Sequence, residues 1–203
     1  VRGSDYVITK SSKIKTNESP SSSVQSLGQR RVLSGYVMTD SNIRTAVTAW
    51  LADASAAETT YGHISTWETG DVTDMSWLFC ERQDWMDGED DYDDCVLSTS
   101  SFNEDIGAWD TSSVMTMQYT FYGAETFNQD LGDWAVHSVS RMPRMFFYAS
   151  AFDQDLGWCL DDGVWLDYYA FYGTPCESTS CGVEQGQFIT GSGSCESTPA
   201  PTP

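Results

Sequence analysis

Histidine and positive charge are scarce in this chain, and each scarcity excludes a class of function. The 203 residues include two histidines, His63 and His137. Histidine-based triads and multi-histidine metal sites need more than that, and neither residue has a Ser or Cys nucleophile in register. Ten Lys and Arg stand against thirty Asp and Glu, a formal charge of −20 and an isoelectric point near 4.1. Such a body repels nucleic acid and anionic bilayers, so neither is an expected partner. No apolar run approaches the ~18 residues of a membrane span, and no insertion is expected. There is no G-x-S-x-G, no P-loop, no G-x-G-x-x-G and no H-E-x-x-H. An initiating Met and a leader-type apolar segment are also missing, as expected of a processed chain. Aromatics are not scarce: eight Trp, ten Tyr and nine Phe are too many for a disordered acidic protein. The length suits one domain, or one small domain with tails.

The six cysteines are Cys80, Cys95, Cys159, Cys176, Cys181 and Cys195. Their spacings fit no zinc template, so a disulfide set in a secreted or cell-surface protein is the better expectation. Asn17-Glu18-Ser19 is a glycosylation sequon, which makes Asn17 a candidate glycan site. The tail from Ser197 to Pro203 has the composition of an O-glycosylated segment.

The chain repeats itself. Ile106, Trp109, Val114, Met117, Phe121 and Phe127 recur 25 residues later as Leu131, Trp134, Val139, Met142, Phe146 and Phe152. A further 25 gives Leu156, Cys159, Val164, Asp167 and Phe171, a degraded terminal copy. Ile64, Trp67, Val72, Met75 and Phe79 fill the same columns 42 residues upstream. The extra 17 residues lie between Phe79 and Phe102, a segment that holds Cys80 and Cys95. An insertion over 80–96 closed by a Cys80–Cys95 disulfide is the simplest account, worth about 3 kcal/mol in the chain-entropy model. Within a copy, Leu131, Trp134, Val136 and Val139 have strand-like alternation. Met142, Met145, Phe146 and Ala149 follow at the spacing of a short helix face. A strand plus a short helix per ~25 residues is the unit of a leucine-rich-repeat-type solenoid. The expected fold is therefore an α/β repeat, a short right-handed solenoid.

Phe102-Asn103, Asp105-Ile106, Trp109-Asp110-Thr111, Val114, Met117, Phe121-Tyr122-Gly123-Ala124 and Phe127-Asn128-Gln129-Asp130 also carry a family resemblance, with Val72-Thr73-Asp74-Met75-Ser76 in the first copy. The pattern resembles the BspA-like leucine-rich-repeat surface-protein family, whose unit reads FNQDIGxWDTSxVTDMSxMFYGAxS. The lengthened first copy and the cysteine-rich end resemble its algal or protist type. The resemblance implies secretion and an adhesive or structural role, with no catalytic site and no cofactor.

Four segments follow. Residues 1–31 form a Ser-rich arm with six basic and two acidic residues, whereas the other 172 hold four basic and twenty-eight acidic. Lys10, Lys13, Lys15, Arg30 and Arg31 could bind the acidic body of the same or a neighbouring copy. The arm could add a strand to a sheet edge, or be a propeptide cut at Arg30-Arg31. Residues 32–60 read as an N-terminal cap, with Asp40 or Ser41 starting a helix. Its apolar stripe is Ile43, Ala46, Val47, Trp50, Leu51 and Ala54. Residues 61–175 are the repeats. Residues 176–203 are a cysteine-stapled cap and Pro/Thr tail, with 159–176 and 181–195 as the expected pairing.

Three constellations are candidate sites. Asp87, Glu89, Asp90, Asp91, Asp93 and Asp94 in the insertion are oxygen donors suited to Ca²⁺, although the spacing is not an EF-hand's and a solvated acidic loop is the plainer reading. Tyr122, Phe147 and Tyr172 share one column, and Tyr119 and Tyr169 another with Arg144 between them. They either fill grooves between repeats or stack on sugars and protein partners. The corners Asn103-Glu104-Asp105, Asn128-Gln129-Asp130 and Asp153-Gln154-Asp155 read as turn ladders rather than catalytic carboxylates. The function expected is a non-enzymatic structural or adhesive protein whose partner is a second copy of itself. Other surface proteins or glycans are the alternative, bound by a monomeric module; an acidic glycosidase is a distant third.

Overall fold

The computed structural model describes residues 35–81, 95, 99 and 101–185. The chain divides into two compact units, Val1–Val32 and Leu33–Pro203. The first lies outside the described residues, so the account concerns the second.

It begins with β1 (Val37–Thr39), α1 (Ile43–Ala52) and α2 (Ala54–Tyr61). The expected helix is thus two, broken at Asp53, whose backbone is extended and whose carboxylate caps Ala56 N–H at the start of α2. Ile43, Ala46, Val47 and Trp50 are buried as the stripe requires, while Leu51 is half-buried and Ala54 exposed. Neither Asp40 nor Ser41 is the N-cap. Asn42 holds that place without a side-chain cap bond, and Asp40 reaches the first repeat instead. β2 (Glu68–Asp71) pairs with β1 in parallel.

The repeat columns are the core. Phe79, Phe121, Phe146 and Phe171 stack at 5.3, 5.2 and 5.7 Å. Phe102, Phe127 and Phe152 stack beside them at 5.8 and 6.1 Å. A third column runs Trp67, Trp109, Trp134 and Trp158, and each indole N–H from Trp109 onward donates to a carbonyl of the preceding copy: Ile64, Ile106 and Leu131. The sequence alignment put Cys159 in that column. The last copy is one residue shorter there, Gly157 at φ +59° turns the chain early, and Trp158 fills the slot.

Among the described residues, paired strands within the copies occur as β2 in the first and at Cys159–Leu160 in the last, while the second half of each copy forms linked turns rather than a helix. A single residue per copy bridges to the next in parallel, along Asp74, Thr116, Arg141 and Trp165. A helix does not form there because Trp77, Tyr119 and Arg144, one position in three copies, have φ of +63°, +56° and +51°. A left-handed residue breaks the helical hydrogen-bond run. The freed amides instead donate to the next copy: Trp77 to Gln118, Phe79 to Thr120, Tyr119 to Pro143 and Phe121 to Met145, at 2.8–3.0 Å. The 3.6-residue spacing marks buried positions here without marking a helix.

The chain ends, as described, with β3 (Cys159–Leu160) and β4 (Glu184–Gln185), again parallel. Cys80–Cys95 is bonded as expected. The C-terminal pairing differs: Cys176 bonds to Cys181, across a tight turn in which Ser180 and Cys181 have positive φ. Cys159 is also disulfide-bonded, to a partner outside the described residues. Residues 174–181 form compact turns and a 3-10 helix, which bring together cysteines that spacing alone does not distinguish.

Candidate binding surfaces

The polar residues of the repeats are mostly engaged with one another. Asn103 Oδ1 accepts from Asn128 N–H at 2.9 Å, and Asn128 Oδ1 accepts from Asp153 N–H at 2.9 Å. Gln129 donates to the Asn103 carbonyl and Gln154 to that of Asn128. Asp105 and Asp130 each close their own turn on the amides of Gly107 and Gly132. Thr69 and Thr111, both buried, donate to the carbonyls of Asp110 and Ala135 in the next copy. These corners are ladders that join copies, as the sequence reading has it.

Both aromatic columns form. Tyr122, Phe147 and Tyr172 stack at 4.9 and 5.5 Å. Tyr122 is 0% exposed, packed with the Cys80–Cys95 disulfide, so at that end the column fills a groove. In the other column Trp77 lies flat on Tyr119 at 3.9 Å. The Arg144 guanidinium sits 5.9 Å from Tyr119, 5.8 Å from Phe147 and 5.6 Å from Tyr169, with Asp167 at 3.8 Å. Exposure grows toward the last copy: Tyr148 and Tyr169 are exposed, and Tyr168 is 84% exposed. Their rings meet edge to face, Tyr168 on Tyr169 and Tyr148 on Tyr172. Tyr148 beside it raises the pKa of the Tyr172 phenol above its ordinary value, by charge and by a hydrogen bond. Trp165, with Arg141 5.0 Å from its ring, is exposed as well. Sequence reasoning missed Tyr148, Trp165 and Tyr168. The available signal was their place in the terminal copies, which have fewer neighbours to cover them.

A second surface is a cleft of about 460 Å³ beside β2, lined by Val37, Trp67, Glu68, Thr69, Asp71 and Asp110. The Ser112 hydroxyl and amide hold the Asp110 carboxyl below its usual range against the effect of burial, helped by His137 nearby. His63 is exposed, hydrogen-bonded to Ser65 and 4.0 Å from Glu104. Among the described residues no group of three or more His, Cys, Asp or Glu is placed to hold a metal ion. No helix among them is long and apolar enough to cross a membrane. Lys10, Lys13, Lys15, Asn17, Arg30, Arg31, the acidic residues Asp87 to Asp94 and Cys195 lie outside the described residues.

The family model described as a Mycoplasma protein of unknown function, DUF285, matches residues 46–93 and 90–162. The chain belongs to the DUF285 family. The two matches run from α1 into the fourth copy, and the family fits BspA-like repeat proteins in general. No curated protein and no solved structure matches the chain.

Proposed function

We propose that this DUF285 chain is a non-enzymatic structural or adhesive protein of the cell surface, of the algal or protist BspA-like type. It folds as a short right-handed solenoid and assembles with copies of itself through its basic N-terminal arm into a filament or surface layer. The observation that carries the reading is the use of periodic polar side chains to join one copy to the next, which gives a rigid body with repeated faces. Disulfide bonding at all five described cysteines is compatible with an oxidising, extracellular setting. The charge asymmetry supports the arm as the contact: net +4 over residues 1–31 against net −24 over the rest, from six basic and two acidic, then four and twenty-eight.

Light scattering and negative-stain imaging of the full chain beside a version lacking residues 1–31 test this. Regular polymers from the full chain and monomers from the truncation are expected; monomers from both sink the assembly reading. The exposed Tyr148, Trp165, Tyr168 and Tyr169 favour a second reading, a monomeric module that binds carbohydrate or protein. Such a module keeps its ligand after the arm is removed.

A further inference from the structure

Tyrosine rings gather on the last two copies, where little covers them. Tyr168 is 84% exposed, and Tyr169 and Tyr148 are 43% and 41% exposed. Between ring centroids, Tyr168 lies 5.3 Å from Tyr169, Tyr169 lies 5.9 Å from Tyr172 and Tyr172 lies 5.5 Å from Tyr148. A hydrogen bond ties the Tyr148 and Tyr172 side chains together. Four phenols therefore stand in series across two copies, with Tyr168 at the solvent end.

Electrostatics sets Tyr168 apart from its neighbours. A phenol loses an electron and its proton to a one-electron oxidant, and a positive charge nearby opposes loss of the electron. The Arg144 guanidinium lies 5.6 Å from the Tyr169 ring, and that of Arg141 lies 5.0 Å from exposed Trp165. Among the described residues no guanidinium lies over Tyr168. All five described cysteines are disulfide-bonded, so no described thiol competes for the oxidant. Geometry then decides what a Tyr168 radical can join. Two phenoxyl rings couple through their ortho carbons, which have to meet edge beside edge. The pairs inside the cluster are edge to face instead, at 82°, 77° and 87°. A ring that lies alongside Tyr168 has to come from another molecule. Since two radicals must meet, the fitting partner is the same residue on a second copy, where the same oxidant makes the same radical.

We propose that Tyr168 is an oxidative cross-linking site that joins two copies of this chain through a dityrosine. Each phenol loses one hydrogen atom, the two radicals bond at their ortho carbons, and the ring hydrogens displaced there return to the oxygens. Over the whole step two ortho C–H bonds are lost and one C–C bond forms. The oxidant is hydrogen peroxide, used by a haem peroxidase and reduced to two waters. The link makes permanent a contact that two copies reach by collision, and the inference stands without the arm.

The test treats the full chain with a haem peroxidase and hydrogen peroxide at about 0.5 M salt, where repulsion between acidic bodies and attraction by the arm are both screened. Reducing electrophoresis is expected to show a covalent dimer with dityrosine fluorescence, and mass spectrometry to find peptides joined Tyr168 to Tyr168. Y168F changes a ring that is mostly in solvent, so it is expected to keep the thermal melt and lose most of the dimer. Y36F removes an exposed phenol outside the cluster and is expected to keep the dimer. A dimer yield that Y168F leaves unaltered overturns the proposal, as do cross-links that map to Tyr6, Tyr36 or Tyr92. So does dityrosine confined to the monomer, which would mean coupling within one chain.

Discussion

Asn128 illustrates how a single residue works in this protein. Its Oδ1 serves two groups of the following copy, the Asp153 amide and Gln154 Nε2 at 2.8 Å, and its own amide is held by Asn103. Removing the side chain leaves a turn amide short of its partner, whereas Asp keeps the acceptor. Asn128→Ala is therefore expected to lower stability by about 1–2 kcal/mol, and Asn128→Asp by less than half of that, read from urea unfolding. Equal losses would mean that the ladder bond contributes little. The buried rings act differently, through area and stacking. Phe146 touches Phe121, Phe152 and Phe171 and is fully buried. Phe146→Ala is expected to cost about 3–5 kcal/mol, a large part of a normal domain's stability. These columns were legible in the sequence because one residue type returns at one interval. Trp158 was not, because a one-residue shortening changes the count while the slot stays in place.

At the scale of elements the sequence was a poorer guide. The apolar spacing of Met142, Met145, Phe146 and Ala149 suits a helix, and all four are buried. Arg144 in the left-handed region, with no glycine to announce it, turns that run into linked turns whose amides bond to the next copy. Long-range partners outweigh local propensity when each freed amide finds a carbonyl. Asp40 makes the same point: its sequence neighbours suggest a helix cap, and its partners lie 33 and 34 residues away. Burial opposes ionisation of its carboxyl, but the Thr73 hydroxyl, the Thr73 and Asp74 amides and Arg44 outweigh it and hold the pKa below the ordinary 3.8. A depressed folded pKa gives stability that is complete above the unfolded value and lost as pH falls through the folded one. Thermal melts between pH 6 and roughly pH 2 are thus expected to decline below about pH 4, less steeply in Asp40→Asn than in the unaltered chain. Parallel curves would show that Asp40 does not contribute to the acid limb.

For the whole molecule the decisive quantity is charge. Thirty acidic residues against ten basic keep the chain soluble near neutral pH and set its solubility minimum near the isoelectric point of 4.1. If the basic arm holds the acidic body of a neighbour, assembly depends on ionic strength. Scattering from the full chain is expected to fall as salt rises from about 0.05 to 0.5 M, because the Debye length shrinks from roughly 14 to 4 Å. Scattering that is indifferent to salt would count against a charge-driven contact and favour an apolar one at Tyr148, Trp165 and Tyr168.

The sequence by itself determined the repeat, its buried columns, the Asn ladder and the Cys80–Cys95 bridge. Each follows from residue type and interval, since stacked copies must present like groups to like. Only the tertiary structure decided the Cys176–Cys181 pairing, the one-residue slip at Trp158, the linked turns that stand where a helix was expected, and the partners of Asp40 and Arg44 in the first copy. Most of those depend on which groups meet across 23 to 45 residues of chain, and the cysteine pairing on the turn that joins two neighbours five residues apart. Folding satisfies backbone donors and acceptors wherever partners arrive, and a local pattern does not record where that is.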